Sequence, residues 1–95
     1  MKHGTTPSGF AFDFDEQRAN DMRVLKHVHS VIDPEASALD KTSALLELPV
    51  LLLGKDQTDA LYDHLAKLHD GRVPPAELEL ELVSIMKGGG ENLKN

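Results

Sequence analysis

The side chains best suited to bind a metal ion in this chain are its five histidines. A zinc site on a helix usually takes two histidines at positions i and i+4, which place both rings on one face. His27 and His29 are two positions apart and point about 200° apart around a helix, and His64 and His69 are five positions apart. Neither spacing fits, so we expect no metal ion and no cofactor. His29 falls on the apolar side of a predicted helix, which favours a neutral, hydrogen-bonded core histidine.

Acidic side chains are the next candidates for chemistry. Glu77, Glu79 and Glu81 could act as acid–base groups only if neighbouring charges separated their pKa values. No arginine or histidine lies close to them in the sequence, so we expect a solvated helix face. The acidic cluster at 13–16 lacks the glycine and the bidentate glutamate of an EF-hand loop. With no cysteine, and no serine or threonine in a nucleophile-elbow setting, the chain is not expected to be an enzyme.

The net charge of the chain indicates which classes of partner it is expected to bind. Ten Lys and Arg against sixteen Asp and Glu give a net charge of −6, which repels nucleic-acid phosphates and anionic lipid headgroups. The longest apolar stretch, residues 48–53, is far shorter than the roughly 20 residues of a membrane helix. Residues 1–9 do not have the apolar run of a secretory signal. We therefore expect no nucleic acid and no membrane among the partners, and a cytoplasmic location.

The length of 95 residues suits one domain with one core. Residues 1–9 are rich in Gly, Thr, Ser and Pro, which predicts a flexible N-terminal arm. Residues 10–87 are predicted to form a single helical domain, and 88–95, which include three successive glycines, a flexible C-terminal tail. A chain this short hides only part of its apolar surface, so binding to a partner or to further copies of itself is expected.

One segment alternates as a β-strand does. Phe10, Phe12 and Phe14 would share one face of a strand over residues 10–15. No second segment alternates convincingly, so the strand would pair with a partner chain or with a short return segment. The phenylalanines could therefore belong to the core or could grip a peptide by strand addition.

Four segments with apolar residues at helical spacing predict helices over residues 20–32, 43–53, 57–69 and 75–87. The second is apolar almost all round, and Pro49 inside it predicts a kink or a break near Leu48. The fourth contains an alternating stretch, but helical spacing better explains its apolar residues and places proline in the first turn. Leu80 is then left facing outward as a candidate contact.

The expected fold is mainly α, a small bundle of about four helices with a short N-terminal β-strand. Because the chain has more apolar side chains than a small core needs, we expect some of them to contact another polypeptide. The residues predicted to bind a partner are Phe10, Phe12, Phe14, Leu46, Val50, Leu51, Leu53 and Leu80.

The chain as a whole resembles a known family. The resemblance is carried by Thr6-Pro7-Ser8-Gly9-Phe10 before an acidic strand, by the stretches LLLGKDQ and ALYDHL at 51–57 and 60–65, and by DGRVP at 70–74. With this order of segments, the chain resembles the tail assembly chaperones of long-tailed phages and prophages of Gram-positive bacteria. These are encoded between the major tail protein and the tape measure protein.

The resemblance implies a small, acidic, mostly helical protein without catalytic activity. Such a protein binds the tape measure protein and keeps it soluble in the host bacterial cytoplasm while the tail tube assembles, and it is absent from the mature virion. In many relatives a ribosomal frameshift makes a longer form that recruits the major tail protein. The glycines at 88–90 lie where the frameshift would occur.

Two other functions are consistent with the residues. A small regulatory or antitoxin-like protein would use its acidity to bind a basic partner, and this binding would weaken as salt is added. A fragment of a metal-dependent hydrolase would bind zinc or manganese stoichiometrically, which the histidine spacing disfavours.

Overall fold

The computed structural model of the protein describes residues 1–87. A hairpin of β1 (Lys2–Thr5) and β2 (Ala11–Phe14) is followed by a 3₁₀-helix (Glu16–Ala19) and four helices. These are α1 (Met22–Ile32), α2 (Ala38–Leu53), α3 (Lys55–Leu68) and α4 (Pro75–Met86). The predicted mainly α fold, a small bundle of about four helices with a short N-terminal β-strand, is confirmed, and the strand belongs to a two-stranded sheet. The tail predicted at 88–95 lies outside the described residues.

Helix α2 is the centre of the bundle and contacts α1, α3, α4, β2 and the 3₁₀-helix. It begins earlier than the predicted 43–53 because Ser37 caps it, accepting a hydrogen bond from the Asp40 backbone N–H at 3.0 Å. It also runs through Pro49 without the predicted break. The proline ring is fully buried, so its packing offsets the backbone hydrogen bond that proline cannot make.

The ends of the other helices lie within two residues of the predicted ones. Helix α1 begins after Asp21, whose side chain accepts a hydrogen bond from the Arg23 backbone N–H at 2.8 Å. Helix α3 starts directly after Gly54, which also ends α2. The φ of Gly54 is 84°, a left-handed conformation that glycine adopts at low cost and that turns the chain sharply between the two helices.

The N-terminal segment differs from the predicted flexible arm. Residues Lys2–Thr5 form the return strand of an antiparallel hairpin, with Gly4 opposite Phe12. The turn is closed by hydrogen bonds from the Thr6 N–H to the Phe10 carbonyl and from the Gly9 N–H to the Thr6 carbonyl, both 2.9 Å. Because β1 has no apolar alternation of its own, its strand character arises from pairing with β2 and could not be read from its residue pattern.

The hairpin packs its phenylalanine face against the helices. Phe12 and Phe14 are almost completely buried, and Phe10 packs beside the His64 ring with 5.7 Å between ring centroids. By contrast, His29, which the apolar periodicity of α1 predicted to be in the core, is exposed. The buried apolar residues are Phe10, Phe12, Phe14, Val24, Val31, Ala44, Leu45, Leu48, Leu52, Leu53, Leu61, Leu65, Leu78, Leu82 and Ile85.

A buried polar cluster fixes the hairpin turn to α3 and α4. Glu81, predicted on a solvated face, is only 2% exposed. Its carboxylate accepts hydrogen bonds from the Ser8 hydroxyl at 2.7 Å and from the Ser8 backbone N–H at 3.3 Å. The Nε2 atom of His64 lies 3.0 Å from the Ser8 carbonyl, which can only accept, so Nε2 donates there. These bonds compensate the cost of removing a carboxylate from water.

Truncating a buried side chain on the apolar face of the hairpin should lower the free energy of unfolding. Phe12→Ala removes a buried ring and should lower the free energy of unfolding by about 3–5 kcal/mol. The measurement is urea unfolding followed by circular dichroism at 222 nm. The matched control is His3→Ala, on the exposed β1 strand, which should leave stability nearly unchanged. Equal midpoints for the two variants would show that the hairpin contributes little to the fold.

The Ser8–Glu81 contact should show measurable coupling. A double-mutant cycle with Ser8→Ala and Glu81→Gln should give an interaction free energy of about 1–3 kcal/mol, because the hydrogen bond is buried and the acceptor is charged. Urea unfolding of the four proteins provides the values. Additive effects of the two substitutions would mean that the bond between the Ser8 hydroxyl and the Glu81 carboxylate does not stabilise the hairpin turn.

Candidate interaction surface

The structure separates the predicted partner-binding residues into a buried and an exposed group. Phe10, Phe12, Phe14 and Leu53 are in the core, because the hairpin and the α2–α3 turn close over them. Leu51 is half-buried. The exposed residues are Leu46 at 59%, Val50 at 45% and Leu80 at 58%. The surface available to a partner is therefore made by helix residues.

Strand β2, predicted as a possible peptide-binding strand, is paired along one edge and blocked at Asp13 on the other. Strand β1 pairs with one edge of β2. On the other edge the side-chain amide of Gln57, from α3, accepts from the Asp13 N–H at 2.8 Å and donates to the Asp13 carbonyl at 2.9 Å. Gln57 thus satisfies both backbone groups of Asp13 as a neighbouring strand would. Strand addition along residues 10–14 has no open edge at this position.

An apolar groove, here the Leu46 groove, lies between α2, α3 and α4. Its volume is about 280 Å³, slightly below the roughly 300 Å³ at which pockets for small-molecule ligands begin. This volume is large enough for one or two apolar side chains of a polypeptide. The lining residues are Thr42, Leu45, Leu46, Tyr62, Val73, Pro75 and Leu78.

The loop between α3 and α4 supplies part of the lining of this groove. Asp70 and Gly71 adopt left-handed conformations, with φ of 57° and 85°, and reverse the chain after α3. The Gly71 N–H donates to the Ala66 carbonyl at 2.7 Å, which ends the helix. The reversed chain then brings Val73 and Pro75 against the groove. The stretch DGRVP therefore contributes to the Leu46 groove because its turn brings Val73 against it.

Two further exposed apolar residues extend the Leu46 groove along α2. Leu39, Leu46 and Val50 are at positions i, i+7 and i+11, which fall on one line along a helix. All three are exposed, and Leu46 is also a wall of the groove. The result is an apolar strip with a recess beside it, a surface that fits the apolar face of an amphipathic helix.

Tyr62 provides the groove with a hydrogen-bonding group. Burial raises the pKa of its phenol, and the negative charge of Asp59 raises this pKa further. The hydroxyl is therefore neutral at physiological pH and can donate to a carbonyl of a bound polypeptide. Leu46 and Tyr62 together combine an apolar wall with one polar contact, as in many peptide-binding recesses.

The hydrogen bonds among Ser8, His64 and Glu81 differ from those of a catalytic relay. In a Ser–His–acid relay, the carboxylate binds the histidine on the nitrogen away from the serine. Here the Nε2 atom of His64 lies 3.1 Å from Ser8 Oγ and 3.0 Å from the Ser8 carbonyl, and the Ser8 hydroxyl donates to Glu81 at 2.7 Å. Because Nε2 carries a proton to donate to the carbonyl, it cannot accept the proton of the Ser8 hydroxyl, and Glu81 binds the serine instead of the histidine. Within residues 1–87, no three His, Asp or Glu side chains are grouped closely enough to hold a metal ion. None of the helices in this part of the chain is long and apolar enough to cross a membrane.

Comparison with known proteins gives no relative from which a function could be transferred. No protein-family model matches the sequence, and no curated protein or solved structure matches it. The functional interpretation therefore rests on the Leu46 groove, on the surface around it and on the resemblance in segment order described above.

The single tyrosine of the chain makes the environment of the Leu46 groove directly measurable. In a spectrophotometric titration at 295 nm, the Tyr62 phenol should ionise above its ordinary pKa of about 10. Because burial is the main cause, Asp59→Asn should remove only part of the shift, whereas unfolding in urea should remove all of it.

The raised pKa of Tyr62 also makes the stability of the protein depend on pH. A folded-state pKa raised above the unfolded value means that the contribution of Tyr62 is complete below about pH 10 and is lost as the pH rises through the folded pKa. An unshifted midpoint in the folded protein would show that the Tyr62 side of the groove is open to solvent.

Proposed function

We propose that the protein is a phage tail assembly chaperone that binds the tape measure protein and keeps it soluble while the tail tube assembles, without catalysis. The observation that carries this proposal is the exposed apolar surface formed by the Leu46 groove and by Leu39 and Val50 along α2. The resemblance in segment order, from the N-terminal segment through DGRVP, supplies the identity of the client.

The physical properties of the surface agree with a role in holding a client. A tape measure protein is a long helical chain whose apolar faces are exposed before the tube surrounds it. The Leu46 groove offers a place for apolar anchors of such a helix, and Tyr62 offers a neutral donor. The net charge of −6 keeps the protein and its complex soluble.

The proposed role also has a location and a stage of assembly. The protein acts in the host bacterial cytoplasm and leaves before the virion is complete. A longer form, made by frameshifting, would bring the major tail protein to the complex. This longer form is testable by mass spectrometry of the tail proteins made in infected cells.

The client test uses co-expression of the full chain with tape measure fragments. Leu46→Glu places a charge in the groove wall and should lower the recovered soluble client at least about tenfold, because an unpaired charge is costly to bury. The matched control is Leu68→Glu, which adds the same charge at an exposed apolar residue of α3 outside the groove. The client in the soluble fraction and in affinity pull-downs is quantified.

Salt dependence separates this function from the regulatory or antitoxin-like alternative. Holding a client by apolar contacts should persist at about 1 M NaCl, where the Debye length is about 3 Å, whereas binding of a basic partner through acidic groups should be lost. If the wild-type chain leaves client solubility unchanged, or if Leu46→Glu and Leu68→Glu behave alike, the groove is not the client site.

A further inference from the structure

The apolar strip of α2 is bordered by acidic residues on one side. Asp40 directly follows Leu39, and Glu47 directly follows Leu46. Successive residues of a helix point about 100° apart, so the two carboxylates form a line of their own beside the two leucines. Both acidic residues are exposed. The apolar strip therefore has an acidic border, Asp40 and Glu47, here the α2 acidic edge.

The α2 acidic edge lies on the side of Leu46 that is turned away from the groove. Around the helix, the groove walls Thr42 and Leu45 lie about 40° and 100° from Leu46 in one direction. Glu47 lies about 100° from Leu46 in the other direction. The recess and the carboxylate therefore flank the same leucine on opposite sides. A helix that inserts apolar side chains into the groove would lay one of its polar borders over Glu47.

The carboxylates of the α2 acidic edge have no cation of their own. Within residues 1–87, neither Asp40 nor Glu47 has a basic side chain within 4.0 Å. No residue three or four positions from Glu47 along α2 is basic. Asp40 stands in the first turn, where the helix dipole favours an acid, but Glu47 lies in the middle of the helix. The Glu47 carboxylate is thus available to an external cation.

The opposite border of the groove differs in charge. There Asp59 is bound by Lys55 at 2.8 Å, and the polar group beside it is the neutral Tyr62 hydroxyl. Lys41 and Arg72 are next to groove walls in the sequence but do not line the groove. Lys41 also points about 140° away from the Leu46 side of α2. The surface is therefore asymmetric, with uncompensated carboxylates along α2 and a neutral donor across the recess.

From this asymmetry we infer that the Leu46 groove binds an amphipathic helix with basic residues along one border of its apolar face, and that these residues lie over the α2 acidic edge. The inference rests on the proposed function and specifies the kind of client segment that the groove selects. Apolar side chains supply most of the affinity, because their burial removes apolar surface from water. Exposed charges at the border of a contact mainly select the partner and its orientation, and Glu47 has this role here.

Two synthetic peptides, each as long as α2, test this selection with the full chain. Both have the same leucine face, and one border of that face is lysine in the first peptide and glutamate in the second. At low salt the wild type should bind the lysine peptide at least about fivefold more tightly, because opposite charges attract and like charges repel. At about 1 M NaCl, where the Debye length is about 3 Å, both peptides should bind alike. Fluorescence anisotropy of the labelled peptides measures the affinities.

A charge reversal on α2 assigns the preference to one residue. Glu47→Lys should reverse the preference, so that the glutamate peptide binds more tightly at low salt. The matched control is Glu79→Lys, which makes the same change of net charge in a different recess, between α1, α2 and α4, and should keep the preference for lysine. Circular dichroism checks that both variants are folded. Equal affinities of the wild type for the two peptides at low salt, no binding of either peptide, or equal effects of the two substitutions would overturn the inference.

The peptide and client assays separate this inference from the proposed function. If Leu46→Glu lowers the soluble client while the peptide preference does not depend on Glu47, the groove holds its client without selecting a basic helix, and only the inference fails. If Glu47 controls the peptide preference but Leu46→Glu leaves the soluble client unchanged, the groove selects a basic helix of another partner, and only the proposed function fails.

Discussion

Helix α2 is apolar on nearly every side, and the rest of the chain is arranged to cover it. Its neighbours α1, α3, α4 and β2 bury Leu45, Leu48 and Leu52. In a protein of this size the remaining helices are too few to surround it completely. Leu39, Leu46 and Val50 are left on the outside, so the same helix supplies both the core and the surface at which we expect a partner.

The hairpin provides hydrogen-bond partners for the backbone of β2. A lone strand with three buried phenylalanines would leave its backbone groups without partners. Here β1 pairs with one edge, Gln57 satisfies Asp13 on the other, and Ser8 in the turn is bound by the buried Glu81 carboxylate. The free edge of β2 is thus blocked at Asp13 by a side chain of α3. Apart from Met1, the large exposed apolar residues of the described chain lie on the helices, which are therefore the surfaces at which we expect a partner.

The proposed client surface combines apolar side chains with one polar group. The Leu46 groove presents apolar side chains together with the neutral Tyr62 hydroxyl. This arrangement tolerates variation in the bound sequence, because apolar contacts are not directional. Several such weak contacts along a long client would add up to stable binding.

The sequence by itself determined the four helices, because apolar spacing, Gly54 and Pro75 act through neighbours along the chain. It also determined that Leu80 faces outward, since this follows from the angular position of one residue on one helix. It left open whether the phenylalanines were core or contact. Only the tertiary structure decided that β1 is a strand, that Glu81 is buried and that His29 is exposed. Each of these depends on a group distant in the sequence, β2 for the first, Ser8 for the second and the limited coverage of α1 by α2 for the third. Periodicity reports which side of a helix is apolar, but how much of that side is covered depends on the packing of the other elements.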